Sequence, residues 1–83
     1  MKDVWIRLSS VQQVQRFVSD LVPLKGDFEF IADHLILDAR SLMGIFGLDL
    51  TRPLRLRVYE DTPANLTALA PYRVQTEVDR HEQ

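Results

Sequence analysis

The sequence predicts an α+β domain with element order β-α-β-β-α-β-α, one four-stranded antiparallel sheet and helices on a single face. Three observations point there. Four segments carry apolar residues at alternate positions, the signature of strands with one wet face. Two longer segments carry them at helical spacing, each behind a capping residue. A third helical segment, one short turn, sits between the third and fourth strands.

The first strand spans Met1 to Leu8, with Val4, Ile6 and Leu8 on one side and Trp5 and Arg7 on the other. Ser9-Ser10 then precedes Val11, Val14, Phe17, Val18 and Leu21 at helical spacing. Ser10 with Gln13 fits a capping box, in which two orphan backbone donors are satisfied reciprocally. Pro23 and Gly26 close this helix and turn the chain. Asp27 to Ile31 reads as a strand burying Phe28 and Phe30. Asp33-His34 makes a tight turn into a strand over Leu35 to Ala39, so the pair forms a hairpin. Thr51-Arg52-Pro53 is a loop, and Leu54 to Glu60 alternates again with Leu56 and Val58 inward. Thr62-Pro63 is a cap followed by proline at the first helical position. That helix runs to about Ala70, where Pro71 ends or kinks it. Tyr72 to Gln83 is polar apart from Tyr72, Val74 and Val78, with a frayed end expected from about residue 76.

The 83 residues suit a single domain, spanning 1–83, with a thin core and modest stability. Interspersed charges and a net charge of −2 leave no electrostatic footprint for nucleic acid or an anionic membrane, so neither is expected as a partner. The chain has no cysteine, which excludes disulfide and thiol chemistry and favours a cytoplasmic location. No apolar run approaches the roughly 20 residues of a membrane span, and no signal-peptide pattern opens the chain. Metal-ligand spacings, glycine-rich phosphate loops and nucleophile–base pairs are missing from the sequence, so no metal or other cofactor is expected.

The segment Asp38-Ala39-Arg40-Ser41-Leu42-Met43-Gly44-Ile45-Phe46-Gly47-Leu48 is the most informative in the chain. At about 100° per residue, Leu42, Met43 and Phe46 share one face, Ile45 and Leu48 another, and Gly44 with Gly47 leave a thin side. Taken alone, the pattern fits burial of both faces in a small domain. A helix this short needs only one face for the core, however, and an exposed apolar cluster marks a docking surface.

The run from Arg40 to Leu48 resembles the Lys-Ser-Ile-Met-Gly-Val-Met-Ser-Leu run of HPr, the histidine-containing phosphocarrier family of the bacterial sugar phosphotransferase system. The order of elements is similar from about Val4 to Glu60, residues 38 to 48 match closely, and the spacing back to Phe17 keeps the same register. The resemblance implies an open-faced β-sandwich. It also implies a phosphoryl-accepting histidine at the start of the first helix, since the relay needs an imidazole nucleophile beside a helix N-terminus and an arginine. In this chain the histidine position falls on Ser10, the arginine on Gln12 and the proline on Gln13; a shift of one residue offers only Ser9 or Val11. Serine is the better helix cap. His34 reads as a solvated turn residue, and His81 lies in the tail.

Ser41 is an N-cap in any case. The resemblance adds that the equivalent serine is a regulatory phosphorylation site, read by a dedicated kinase together with the helix behind it. A phosphoserine there would set about −1.5 to −2 charges against the positive end of the helix dipole. Arg40 stands beside it as a counter-ion, and Leu42, Met43 and Phe46 supply the apolar docking face. The expected function is therefore an HPr-like phosphotransferase-system protein without the active-site histidine, acting as a non-catalytic regulatory or protein-binding module. Its partner would be a serine kinase, a transcription regulator or another phosphotransferase component. The alternatives are a working phosphocarrier using Ser10 or another acceptor, and a diverged module with a private role. Two further expectations concern the wet face. Asp27, Glu29 and Asp38 would pair with the arginines of the fourth strand. Trp5 beside Ile31 and Ile36 is either a second interaction patch or dimer contact, or a quiet edge-to-core contact.

Overall fold

The computed structural model describes residues 1–75. The expected frayed end and His81 lie outside the described residues. The elements are β1 (Lys2–Ile6), α1 (Val11–Leu21), β2 (Phe28–Ala32), β3 (Leu35–Asp38), α2 (Leu42–Phe46), β4 (Leu54–Val58), α3 (Pro63–Leu69), a 3-10 turn (Ala70–Tyr72) and β5 (Arg73–Val74). The described strands form one open antiparallel sheet in the order β3-β2-β4-β1-β5. The expected four strands are therefore five. Pro71 does end the helix, but the chain then drops through the 3-10 turn and lays Arg73–Val74 beside Trp5 and Ile6. The Arg7 N–H extends the contact by donating to the Tyr72 carbonyl at 2.9 Å. Without this strand β1 would be the edge of the sheet, and β5 takes that place.

Alternation sorts the sheet into a dry face and a wet one. Val4, Ile6, Phe28, Phe30, Leu54, Leu56 and Val58 are buried together with Val14, Phe17 and Leu21 of α1, Ile45 of α2 and Leu69 of α3. The core therefore lies between one sheet face and the helices. Phe17 is at its centre. Its ring stacks obliquely on Phe30 (5.6 Å, 34°) and meets Tyr72 edge-on (5.1 Å, 87°), both favoured aromatic geometries.

The helix ends show how local residues and distant ones share the capping. The Ser10 hydroxyl accepts the Gln13 N–H at 3.0 Å. The Gln13 side chain reaches one residue further back than a capping box requires and takes the Ser9 N–H at 2.6 Å. Thr62 and Pro63 start α3 as expected, with the Thr62 hydroxyl accepting the Asn65 N–H. The C-terminal end of α1 has no basic residue in its own last turn. Arg40 supplies the charge from the β3–α2 junction. Its Nε donates to the Leu21 carbonyl (3.1 Å), and Nη2 to those of Leu24 (2.8 Å) and Gly26 (3.1 Å). The guanidinium also lies 5.1 Å over the Phe28 ring. Gly26 itself has φ +91° and packs under Glu60, whose side chain would lie 2.9 Å from any Cβ there. Asn65, the buried polar side chain of the core, locks the same corner by donating to the Lys25 and Glu60 carbonyls at 2.9 and 2.8 Å.

Two outcomes follow from these ties. Arg40→Ala strips charge-assisted bonds from three carbonyls and should cost about 2–3 kcal/mol in urea unfolding. Tyr72 donates its hydroxyl to Asp20 at 2.6 Å, and burial, then the hydrogen bond to that carboxylate, push the phenol up to about 12. A phenol whose folded value is raised contributes stability that is intact below its unfolded value of about 10 and is lost as pH climbs toward about 12. Thermal unfolding between those pH values should therefore show a falling melting temperature, and Tyr72→Phe should flatten that fall.

Candidate functional site

Ser41 takes the N-cap of α2 with extended backbone (φ −89°, ψ 96°), and its hydroxyl accepts the Gly44 N–H at 3.2 Å. The preceding turn is compact. Asp38 accepts the Arg40 N–H on its carboxylate (2.8 Å) and the Ser41 N–H on its carbonyl (3.0 Å), and Ala39 is buried beneath. Gly44 is needed for close approach, because a Cβ would lie 2.9 Å from both Leu37 Cδ1 and Ser41 Oγ. It thus lets the helix lean on β3 while keeping the serine cap.

The structure divides the apolar positions of α2 differently from the wheel. Ile45 is wholly buried, and Leu42 and Leu48 pack against the core. Met43 is 80% exposed and Phe46 38%. Of the three residues grouped as a docking face, Met43 and Phe46 stay on the surface beyond the exposed Ser41, and Leu42 turns toward the core. Arg40 is adjacent to Ser41 in sequence, yet its guanidinium is held by the three carbonyls at the end of α1.

The N-terminus of α1, where the resemblance places a phosphoacceptor, is a shallow depression lined by Ser9, Ser10, Gln12, Gln13 and Arg16. Ser10 is engaged there as the helix cap. His34 is elsewhere. It lies in the β2–β3 turn and lines a broad, open groove with Trp5, Asp49, Arg52 and Arg55. Among the described residues no group of three histidine, cysteine or acidic side chains could hold a metal ion. No described helix is long and apolar enough to cross a membrane.

On the wet face, sequence reasoning missed the central carboxylate. Asp3 of β1 holds both arginines of β4. Arg55 donates from Nε and Nη2 at 2.8 and 2.6 Å, and Arg57 from Nε and Nη2 at 2.9 and 3.1 Å. The acids expected in that role are engaged as follows. Glu29 stands opposite Arg57 in register, and its carboxylate accepts the Tyr59 hydroxyl at 2.7 Å. Asp38 caps its own turn, and Asp27 offers its carbonyl to the Tyr59 N–H. The signal for Asp3 was its place on the wet side of the first strand. Its use depended on β1 lying next to β4, which the alternation does not reveal.

The hydrogen bond from Arg57, with those of Arg55 and both positive charges, holds the Asp3 carboxyl below the usual carboxylate range. A carboxyl lowered in the folded state contributes stability present above its unfolded value and lost as pH falls through the folded one. Asp3 is partly open to solvent, so that contribution is no more than about 1 kcal/mol. Asp3→Asn should lower stability at neutral pH by that amount and leave acid unfolding below about pH 4 with a shallower slope, read by circular dichroism.

Compared with known protein families, curated proteins and solved structures, the chain finds no match.

Proposed function

We propose that this chain is a non-catalytic protein-binding module of HPr-like architecture, which offers α2 and its serine cap to a protein partner in the cytoplasm. The observation that carries this reading is the exposure of Met43 and Phe46 directly behind Ser41, on a helix whose other apolar residues face the core. Two large apolar side chains on one short turn cost solubility without adding to the core, which fits a contact surface. One open antiparallel sheet packed against helices is compatible with the open-faced sandwich that the resemblance implies.

Ser41 gives that surface a switch. A phosphoryl group on the exposed hydroxyl would place about −1.5 to −2 charges at the free amides of α2, beside the apolar pair. The partner is then a serine kinase acting on this helix, a transcription regulator that reads it, or another phosphotransferase component. The reading is non-catalytic because Ser10 serves as a helix cap where the relay requires an imidazole, and a capping hydroxyl is a weak nucleophile without an adjacent base.

The test is treatment with HPr kinase and ATP, followed by intact-mass measurement. One added phosphoryl group, absent from Ser41→Ala, is the expected outcome, and an unchanged mass removes the switch. Incubation with enzyme I and phosphoenolpyruvate should leave the protein unmodified; an acid-labile phosphate would overturn the non-catalytic reading. Met43→Asp and Phe46→Asp change surface positions and should alter stability by at most about 1 kcal/mol.

A further inference from the structure

The outer edge of the sheet is β3, and it carries few of the devices that protect an exposed edge. It has no lysine, no proline and no glycine, and its apolar side chains remain open to water, with Leu35 50% and Ile36 59% exposed. Such an edge is a template for another strand. The opposite edge, β5, is only two residues long.

The hydrogen-bonding pattern identifies which backbone groups are offered. The Ala39 N–H donates to the Phe28 carbonyl, so Phe28 and Ala39 form a hydrogen-bonded pair. By the alternation of an antiparallel ladder, Phe30–Leu37 and Ala32–Leu35 are also hydrogen-bonded pairs, which turns Leu35 and Leu37 inward toward β2. Ile36 and Asp38 therefore direct their backbone groups away from the sheet. The Asp38 carbonyl is taken by the Ser41 N–H, leaving the Ile36 N–H and carbonyl and the Asp38 N–H without a backbone partner among the described residues. No described strand pairs with this side.

We propose that β3 is a self-association edge, and that its occupant is β3 of a second copy of this chain, antiparallel about a two-fold axis through Ile36. The argument for a second copy is the strand's own complementarity. From 34 to 38 the chain reads His-Leu-Ile-Leu-Asp, with a basic residue at one end, an acidic one at the other and three apolar residues between. Centred on Ile36, each Ile36 exchanges its N–H and carbonyl with the partner's Ile36. Each Asp38 N–H meets the carbonyl of the partner's His34. Leu35 stands opposite the partner's Leu37 on the helix side. On the wet side, His34 stands opposite the partner's Asp38 at both ends. The register that aligns the free backbone groups is thus the one that sets polar residues opposite polar and apolar opposite apolar.

The pairing also extends an existing row. On the wet face Ile36 stands beside Ile31, which stands beside Arg55 and then Trp5. Joining two copies makes a strip of four isoleucines across the axis, bounded on each side by the Arg55–Asp3 pair. A single short strand buries little area, so association is weak and concentration-dependent.

The experiment is sedimentation equilibrium of the whole chain from about 10 μM to about 1 mM, with two charge variants, and crosslinking of two cysteine variants. The wild type should shift from monomer toward dimer across this range; a monomer throughout overturns the proposal. Ile36→Lys sets two like charges on the axis and should weaken dimerisation about tenfold or more, with unchanged circular dichroism because the side chain is exposed. His34→Asp places like charges at both ends and should weaken it about threefold to tenfold. A dimer indifferent to either substitution overturns this edge or this register. Since the chain lacks cysteine, Ile36→Cys installs a unique thiol facing itself. The Cα separation of a hydrogen-bonded pair, about 5.5 Å, lies within disulfide reach. Ile36→Cys should crosslink under mild oxidation much faster than Met43→Cys, which is more exposed but stands on α2. Equal rates would sink the proposal. None of these outcomes bears on α2 as a docking surface.

Discussion

A single guanidinium organises this small domain. Arg40 leaves the turn after β3 and closes over the last carbonyls of α1 and the Gly26 turn, with its flat face on Phe28. A helix ends with orphan carbonyls and a partial negative charge, and α1 has no basic residue in its last turn to meet them. The cation arrives instead from 19 residues downstream of Leu21. One side chain thereby fixes where α1 stops, where the chain turns toward β2, and where α2 begins. The turn that aims it is equally economical, since Asp38 accepts the Arg40 and Ser41 N–H groups and Ala39 is tucked into the core.

The rest of the fold is layered on this corner. Asn65 brings the start of α3 to the same place by holding the Lys25 and Glu60 carbonyls, and Glu60 lies over Gly26. Midway along α1, Phe17 gathers Phe30 and Tyr72, so the tail strand is anchored by a ring and, near the helix C-terminus, by a hydrogen bond to Asp20. A domain this size has a thin core, and these few polar ties set the relative placement of elements that apolar burial alone would leave loosely specified.

The two proposed surfaces share one stretch of chain. Residues 34 to 46 carry the exposed edge of β3, the Ser41 cap and the open flank of α2. Gly44 joins them, because its missing side chain lets α2 rest against Leu37. Association at the β3 edge and docking at α2 would therefore be close enough to influence one another, although they use different side chains. Arg40 is withheld from both. A charge placed on Ser41 would meet the amides of α2 first, since the neighbouring guanidinium is already engaged.

Much of this was legible in the amino-acid order. Period-two runs located β1 to β4, the serine and threonine caps located all three helices, and Pro71 marked the end of α3, because these signals act within a few residues of themselves. The capping role of Ser10 and Ser41 followed from the same local rules. Other features depended on which segments became neighbours. Asp3 outranked Asp27, Glu29 and Asp38 as the partner of Arg55 and Arg57 because β1 lies against β4. Arg40 became the clasp of α1 rather than a companion of Ser41, Leu42 turned inward while Met43 stayed out, and Arg73–Val74 became a strand. Local periodicity and capping are written in adjacent residues, so the chain alone determines its helices and first four strands. Charge pairing and exposure are set by contacts between residues tens of positions apart, and only the assembled tertiary structure decides those.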